Sequence, residues 1–253
     1  MLRRLLDFGR RGPHRPLGYI YVQDNEAGPL RDARPGGIVR LEGRGPPWIV
    51  VNSALSSVIV AKWPGQLWKA RIIEAAAQSD QPYGYAGYTR CISVEIIEQM
   101  SPAMLFGDHG QVVVEILRKA AALTHEQAVR LSSVRHAEAP AAYDRVFRRW
   151  INESGNFDHG TTNYDGTLSA GPLEAGGSPI SGGLALIDRT VLDQARSVDG
   201  AKALLHEEDG TPYLDQPWAG ASRVLRDAAL ALGAPQLSSS EDRHILLAGL
   251  AAS

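Results

Sequence analysis

At 253 residues, with 44% hydrophobic and 21% charged side chains, the chain is long enough to bury a substantial core without disulfides or metals, and its composition excludes general disorder. A single cysteine, Cys91, excludes an intramolecular disulfide and fits a reducing compartment, and no apolar run approaches the roughly 18 residues of a membrane span. The net charge of −2 conceals an acidic block, since residues 151–220 carry 3 basic and 11 acidic side chains, against 9 and 5 in 1–50, 11 and 9 in 51–150, and 3 and 3 in 221–253.

The segment 1–12 reads as a solvated basic terminus, with apolar runs too short for a signal peptide. Leu17 to Val22 and Gly37 to Leu41 read as strands separated by a polar loop, and Gly43 and Gly45-Pro46-Pro47 end the second. Trp48 to Val51 predicts a short buried strand. Asn52 or Ser53 then suits the N-cap of a helix through Leu55, Val58 and Ile59, although the β-branched residues there also fit a strand. Trp63-Pro64-Gly65-Gln66 reads as a type II turn, Pro64 presetting φ and Gly65 supplying a positive φ. Beyond it, Leu67 to Ile73 alternates, with Trp68, Ala70 and Ile72 inward and Lys69 and Arg71 outward. Thr89 to Ile97 repeats the pattern, with Ile92, Val94 and Ile96 inward and Ser93 and Glu95 outward. Cys91 falls in this run as a small core residue.

From Gly107 the period changes to that of a helix. Val112, Val113, Ile116, Leu117 and Ala120 form one apolar face, Thr124-His-Glu-Gln127 is a capping box, and Pro140 opens a helix carrying Tyr143, Val146, Phe147, Trp150 and Ile151 at helical spacing. Arg145, Arg148 and Arg149 read as the solvated face of that helix. Residues 152–183 form a Gly-rich, acidic loop, long enough to mark a boundary. After it, Asp188 can cap a helix through Val191, Leu192 and Ala195, Asp209-Gly210 and Pro212 mark a turn, and Pro217 opens a helix that Gly233 and Pro235 close. Ser238 to Glu241 reads as a last capping box. The expected fold class is α+β, with an N-terminal mixed β-sheet part over about residues 17–97 and a mainly helical C-terminal part. The expected organisation is a mixed α/β core with packed helices over 1–151, the loop 152–183, and helices over 184–253.

The motifs that resemble chemistry are incomplete. Asp-His-Gly occurs at Asp108–Gly110 and Asp158–Gly160, but neither copy has metal-ligand spacing, and no metal is expected. Thr161 to Gly166 imitates half of a calcium loop, without carboxylates at its first and twelfth positions. The run Gly176 to Gly183 lacks the lysine of a phosphate-binding loop and the serine elbow of a hydrolase. Leu205-His-Glu-Glu-Asp209 reads as a solvated acidic tip. A small-ligand pocket, where one exists, would be lined by Trp63, Trp68, Tyr83, Tyr85 and Tyr88.

Arg40, Ser53 and Glu95 stand on or beside three predicted strands. That order of a strand ending near a serine, a helix, a turn and further strands resembles the core of ADP-ribosyltransferases, without their paired-glutamate signature. The resemblance implies NAD as cofactor and a catalytic set of Arg40, Ser53 and Glu95. The residues themselves favour a different class, a cytoplasmic, soluble protein-binding module of the immunity or regulator kind, with no cofactor. The acidic 151–220 region, bearing Phe157, Tyr164 and Tyr213, would face a partner with a basic surface. Nucleic acid is not an expected partner, because the basic residues form no run, and neither is a membrane, because no apolar segment is long enough to span one.

Overall fold

The computed structural model describes residues 16–24, 28–58, 60, 62–82, 87–154, 180–206, 210 and 212–252. It has the α+β class expected, with strands first and helices after. Two compact units divide it, the first built from residues up to 20, 26–54 and 67–100, the second from 21–25, 55–66 and 101 onward.

Strands β1 (Leu17–Gln23), β2 (Ile38–Arg40), β3 (Ile49–Asn52), β4 (Gly65–Ala75) and β5 (Tyr88–Met100) form one sheet in the order β2-β5-β3-β1-β4, and a further β4–β5 pairing closes it into a small barrel. The closure joins β4 to β5 and leaves β2, which among the described strands pairs with β5 alone, as an edge. The alternation read from sequence fixes the inward face. Trp68, Ala70, Ile72, Ile92, Val94 and Ile96 are all buried on it, and Cys91, on the face of Ser93 and Glu95, is buried as well. Burial pushes the Cys91 thiol up to about 12, as expected of an inert core residue. The outer face carries a ladder of ion pairs, Arg40 and Arg44 with Glu74, Arg71 with Glu95, and Lys69 with Glu98. Ser93 departs from expectation, being buried on that face and donating its hydroxyl to the Val39 carbonyl at 3.1 Å.

Two local expectations fail for identifiable reasons. Among the described residues no α-helix follows Asn52, whose side chain is buried and donates to the Tyr19 carbonyl instead of capping, and a 3-10 turn forms over Leu55–Ser57. Nor is there a type II turn at Pro64, since Gly65 has no positive φ and already begins β4. Glycine is needed there for room, because a β-carbon would meet the Tyr21 ring and come within 2.6 Å of the Val22 carbonyl.

The second unit is assembled around a central helix. Helices α1 (Gly110–Ala121), α2 (His125–Ser133), α3 (Ala139–Ser154) and α4 (Ile180–Asp199) are followed by the two-stranded ribbon of β6 (Leu204–His206) and β7 (Pro212–Leu214), then by α5 (Trp218–Gly233) and α6 (Ser240–Ala251). Helix α5 touches α1, α2, α3, α4 and α6, and Trp218, Ala221, Leu225 and Ala228 are completely buried on it. The Thr124 capping box forms as read, with reciprocal bonds of 3.2 and 2.9 Å between Thr124 and Gln127. At α6 the cap is Ser239, one residue beyond the expected serine, and its hydroxyl accepts from the Asp242 amide at 3.0 Å.

Both ends of the expected loop 152–183 are helical. Helix α3 runs to Ser154, and α4 begins at Ile180 and absorbs Gly182 and Gly183. Gly183 is buried where α4 crosses α1, and a β-carbon on it would stand 2.9 Å from a Val113 methyl. The glycine that reads as a breaker is thus a close-approach residue between helices. Asp188 lies inside α4 and caps nothing.

Arg145 and Arg149 are not simply a solvated face. Both reach Asp242 of α6, at 2.7 and 2.9 Å, and Asp242 is 2% exposed. Burial alone would raise the Asp242 carboxyl, but hydrogen bonds from Arg145, Ser239 and Arg149 outweigh it and hold the group below its ordinary value. A folded-state value below the unfolded one means the clamp's stability is fully present above the unfolded value and is lost as pH falls through the folded one. Asp242→Asn should therefore cost about 2 kcal/mol at neutral pH. In urea unfolding, that difference from the parent should shrink once pH drops below about 4. A difference constant down to strong acid would show that the carboxylate's charge is irrelevant.

Candidate functional site

The residues of the sequence-derived catalytic set all lie in the barrel unit, and each has another employment. Arg40 pairs with Glu74 at 2.8 Å and Glu95 with Arg71 at 2.7 Å, both as rungs of the outer ladder. Ser53 donates its hydroxyl to the Gly87 carbonyl at 2.9 Å. Along β5, Arg40 stands opposite Ser93, next to Glu95 on the same face, whereas Asn52, the neighbour of Ser53, stands opposite Tyr88. Six residues of strand lie between Tyr88 and Glu95, a run on the order of 20 Å. Arg40 and Glu95 are thus neighbours and Ser53 is remote, so the three share no cleft.

The aromatic set also divides. Trp68 is 3% exposed within the barrel core, and Tyr88 is a half-buried first residue of β5. Trp63 sits in the helical unit against Phe106, ring centres 5.8 Å apart, and lines an open groove of about 380 Å³ with Pro64, Pro102, Gln111 and Arg118. Tyr83 and Tyr85 lie outside the described residues. So do the second Asp-His-Gly, the calcium-loop imitation, Phe157 and Tyr164. Among the described residues no group of three or more His, Cys, Asp or Glu side chains is placed to hold a metal ion.

One polar cluster in the helical unit has the residue types of a catalytic site. Asp188 accepts from the Ser222 hydroxyl at 2.6 Å and pairs with Arg226 at 3.0 Å, and Arg226 also donates to the Tyr143 hydroxyl at 2.9 Å while lying over its ring. The Tyr143 hydroxyl is pushed up, chiefly by burial, against the opposing effect of Arg226. A serine needs a base to take its proton before it can attack. Here its partner is a carboxylate already engaged by arginine, so the cluster fastens α3, α4 and α5 together.

The surface that stands out from an ordinary exterior is the β6–β7 ribbon. Asp199 ends α4 and anchors its approach, one carboxylate oxygen accepting from His125 Nδ1 and from Trp218 Nε1, both at 2.7 Å. These two hydrogen bonds, from His125 first and Trp218 second, hold the Asp199 carboxyl below its ordinary value. The chain then turns through Gly200, whose φ of 62° suits glycine, into β6, and the Asp215 amide returns to the Ala203 carbonyl at 2.9 Å. Leu205 and Tyr213 are directly opposed across the ribbon, 41% and 44% exposed. In an antiparallel pair, opposed side chains share one face, so the two form a contiguous apolar spot. Val198, on the last turn of α4, is exposed to 44%. The sequence joining the strands supplies Glu207, Glu208 and Asp209. Tyr213 was legible as an exposed aromatic of the acidic region, but Leu205 was not. Its signal was the Asp-Gly turn with an apolar residue at matching distance on either side.

Comparison with protein-family profiles, with curated proteins and with solved structures returns no significant match to this chain. Among the described residues no helix is long and apolar enough to cross a membrane.

Proposed function

We propose that this chain is a protein-binding module that presents the β6–β7 ribbon and its acidic surroundings to a partner with a basic surface. The observation that carries this reading is the exposed cross-strand pair Leu205–Tyr213 on a ribbon of only two strands. Tyrosine is among the residues that most often dominate binding energy at an interface, offering large area and a polar tip for little entropy. Each strand also has one edge without a strand partner among the described residues, where an extended segment of a partner could add. The excess of 11 acidic over 3 basic side chains in residues 151–220 favours a basic counterpart and would steer its approach.

A photo-crosslinking residue at position 213, expressed in the source cell, tests this directly, with the same residue at Met104 as an exposed apolar control. A discrete adduct should form at 213, be absent at 104, and fade as salt rises. Leu205→Asp should weaken capture of the identified partner by about thirtyfold, equivalent to ~2 kcal/mol. Equal labelling at both positions, or none at 213, overturns the assignment.

A further inference from the structure

We infer that the corner between α1 and α2 is a binding site for a small amphipathic anion, a carboxylate with an apolar tail. A groove of about 270 Å³ opens there, close to the lower end of ligand-pocket sizes. Its floor is leucine. Leu123 and Leu131 are 4% exposed and Leu225 is completely buried, and Leu250 of α6 completes the lining. Over these buried leucines, the apolar surface that opens on water belongs to exposed Ala122, half-buried Leu250 and the stems of Lys119 and Arg130, and a hydrocarbon tail would cover it.

The rim is of one electrostatic sign. Lys119, in the last turn of α1, and Arg130, in the last turn of α2, both line the groove and are exposed. Glu115 and Glu126 stand one helical turn before them, at the spacing that favours a pair, yet neither forms an ion pair among the described residues. The third polar group on the rim is Gln127. Its carbonyl oxygen is already occupied, accepting from the Thr124 amide at 2.9 Å in the capping box, which leaves its NH₂ to donate. Every polar side chain of the lining therefore offers a donor, two of them charged, and the lining contains no carboxylate. A neutral alcohol would leave both charges unmatched and a cation would be repelled. A carboxylate accepts from all three donors while its tail lies on the leucines. The site is separate from the ribbon and does not depend on the protein-binding reading.

Calorimetric titration of the full chain with octanoate tests the assignment, with octanol and octylammonium as head-group controls and an oligoglutamate peptide as a tail-less anion. Octanoate should bind saturably and most tightly of the four. Lys119→Glu combined with Arg130→Glu should weaken it roughly tenfold, since each exposed charge contributes only modestly. Ala122→Phe, which fills the groove from an exposed position without touching the charges, should abolish binding while leaving the circular dichroism spectrum unchanged. Absence of saturation with octanoate overturns the proposal. So does octanol binding as tightly as octanoate and insensitive to the charge reversals, which would mark plain apolar adsorption. Tighter binding of oligoglutamate than of octanoate also overturns it, in favour of a surface for acidic peptides.

Discussion

Arg135→Ala is expected to destabilise the protein by about 3–5 kcal/mol, a large share of the ~5–15 kcal/mol that a folded chain of this kind has in total. Arg135 follows α2 and grips Asp227 in the middle of α5 through two bonds, Nε at 2.7 Å and a terminal nitrogen at 3.0 Å. Asp227 is 2% exposed. Removing the guanidinium leaves a carboxylate with little water to replace it, on the helix that touches every other helix of the unit. Burial already pushes the Asp227 carboxyl above its ordinary value despite the opposing Arg135, and loss of Arg135 should raise it further.

The sign of the pH dependence follows. A carboxyl whose folded-state value is raised favours folding while protonated, below its unfolded value, and that contribution is lost as pH rises through the folded value. The Arg135→Ala deficit should therefore be greatest at neutral pH and shrink in acid, where Asp227 can take a proton. Adding Asp227→Asn to the Arg135→Ala background should recover part of the loss at neutral pH, because a neutral amide is less costly to bury than a charge. Urea unfolding of the four members of this cycle at two pH values checks all three statements. If the double variant is no more stable than Arg135→Ala alone, the loss lies in arginine packing and not in the stranded charge.

How much of this molecule can be read without coordinates depends on the range of the forces involved. The barrel strands are legible because alternation is a local pattern. Trp68, Ala70 and Ile72 must share one face of β4, and burial then decides which. The Thr124 capping box is legible because both of its bonds span three residues. What escapes is set by elements distant in sequence. Gly183 reads as a loop residue until α1 is placed against it, and Arg145 and Arg149 read as solvated until α6 brings Asp242 within reach. The candidate ribbon was legible by half. Asp209-Gly210 announces a turn, but only the register of β6 against β7 shows that Leu205 and Tyr213 share a face. The set Arg40, Ser53 and Glu95 illustrates the converse, since residue types that suit a reaction say nothing of separation, and here β5 keeps Ser53 distant from the other two.

Gly110→Ala should be as damaging as the loss of Arg135, against the direction that helix propensity alone gives. Gly110 is the first residue of α1, where alanine ordinarily favours a helix by up to about 1 kcal/mol over glycine. Its backbone has no positive φ, so conformation gives no reason for glycine. The reason is steric. The 3-10 turn Pro102–Phe106 folds over the start of α1, and a β-carbon at 110 would drive into the Ala103 carbonyl oxygen, 2.8 Å from its carbon and 3.2 Å from the Phe106 β-carbon. Backbone has no rotamer by which to retreat, so either the turn lifts or the helix shortens, at a cost of about 3 kcal/mol or more. Gly28→Ala supplies the control, because among the described residues nothing lies within 4 Å of a β-carbon there and its φ is not positive. It should be neutral or stabilising by about 0.4–1 kcal/mol through the unfolded chain. The denaturant midpoint of Gly110→Ala should thus fall while that of Gly28→Ala holds or rises, with slopes unchanged. A neutral Gly110→Ala would show that the turn over α1 yields freely, and that the start of the helix is not held by it.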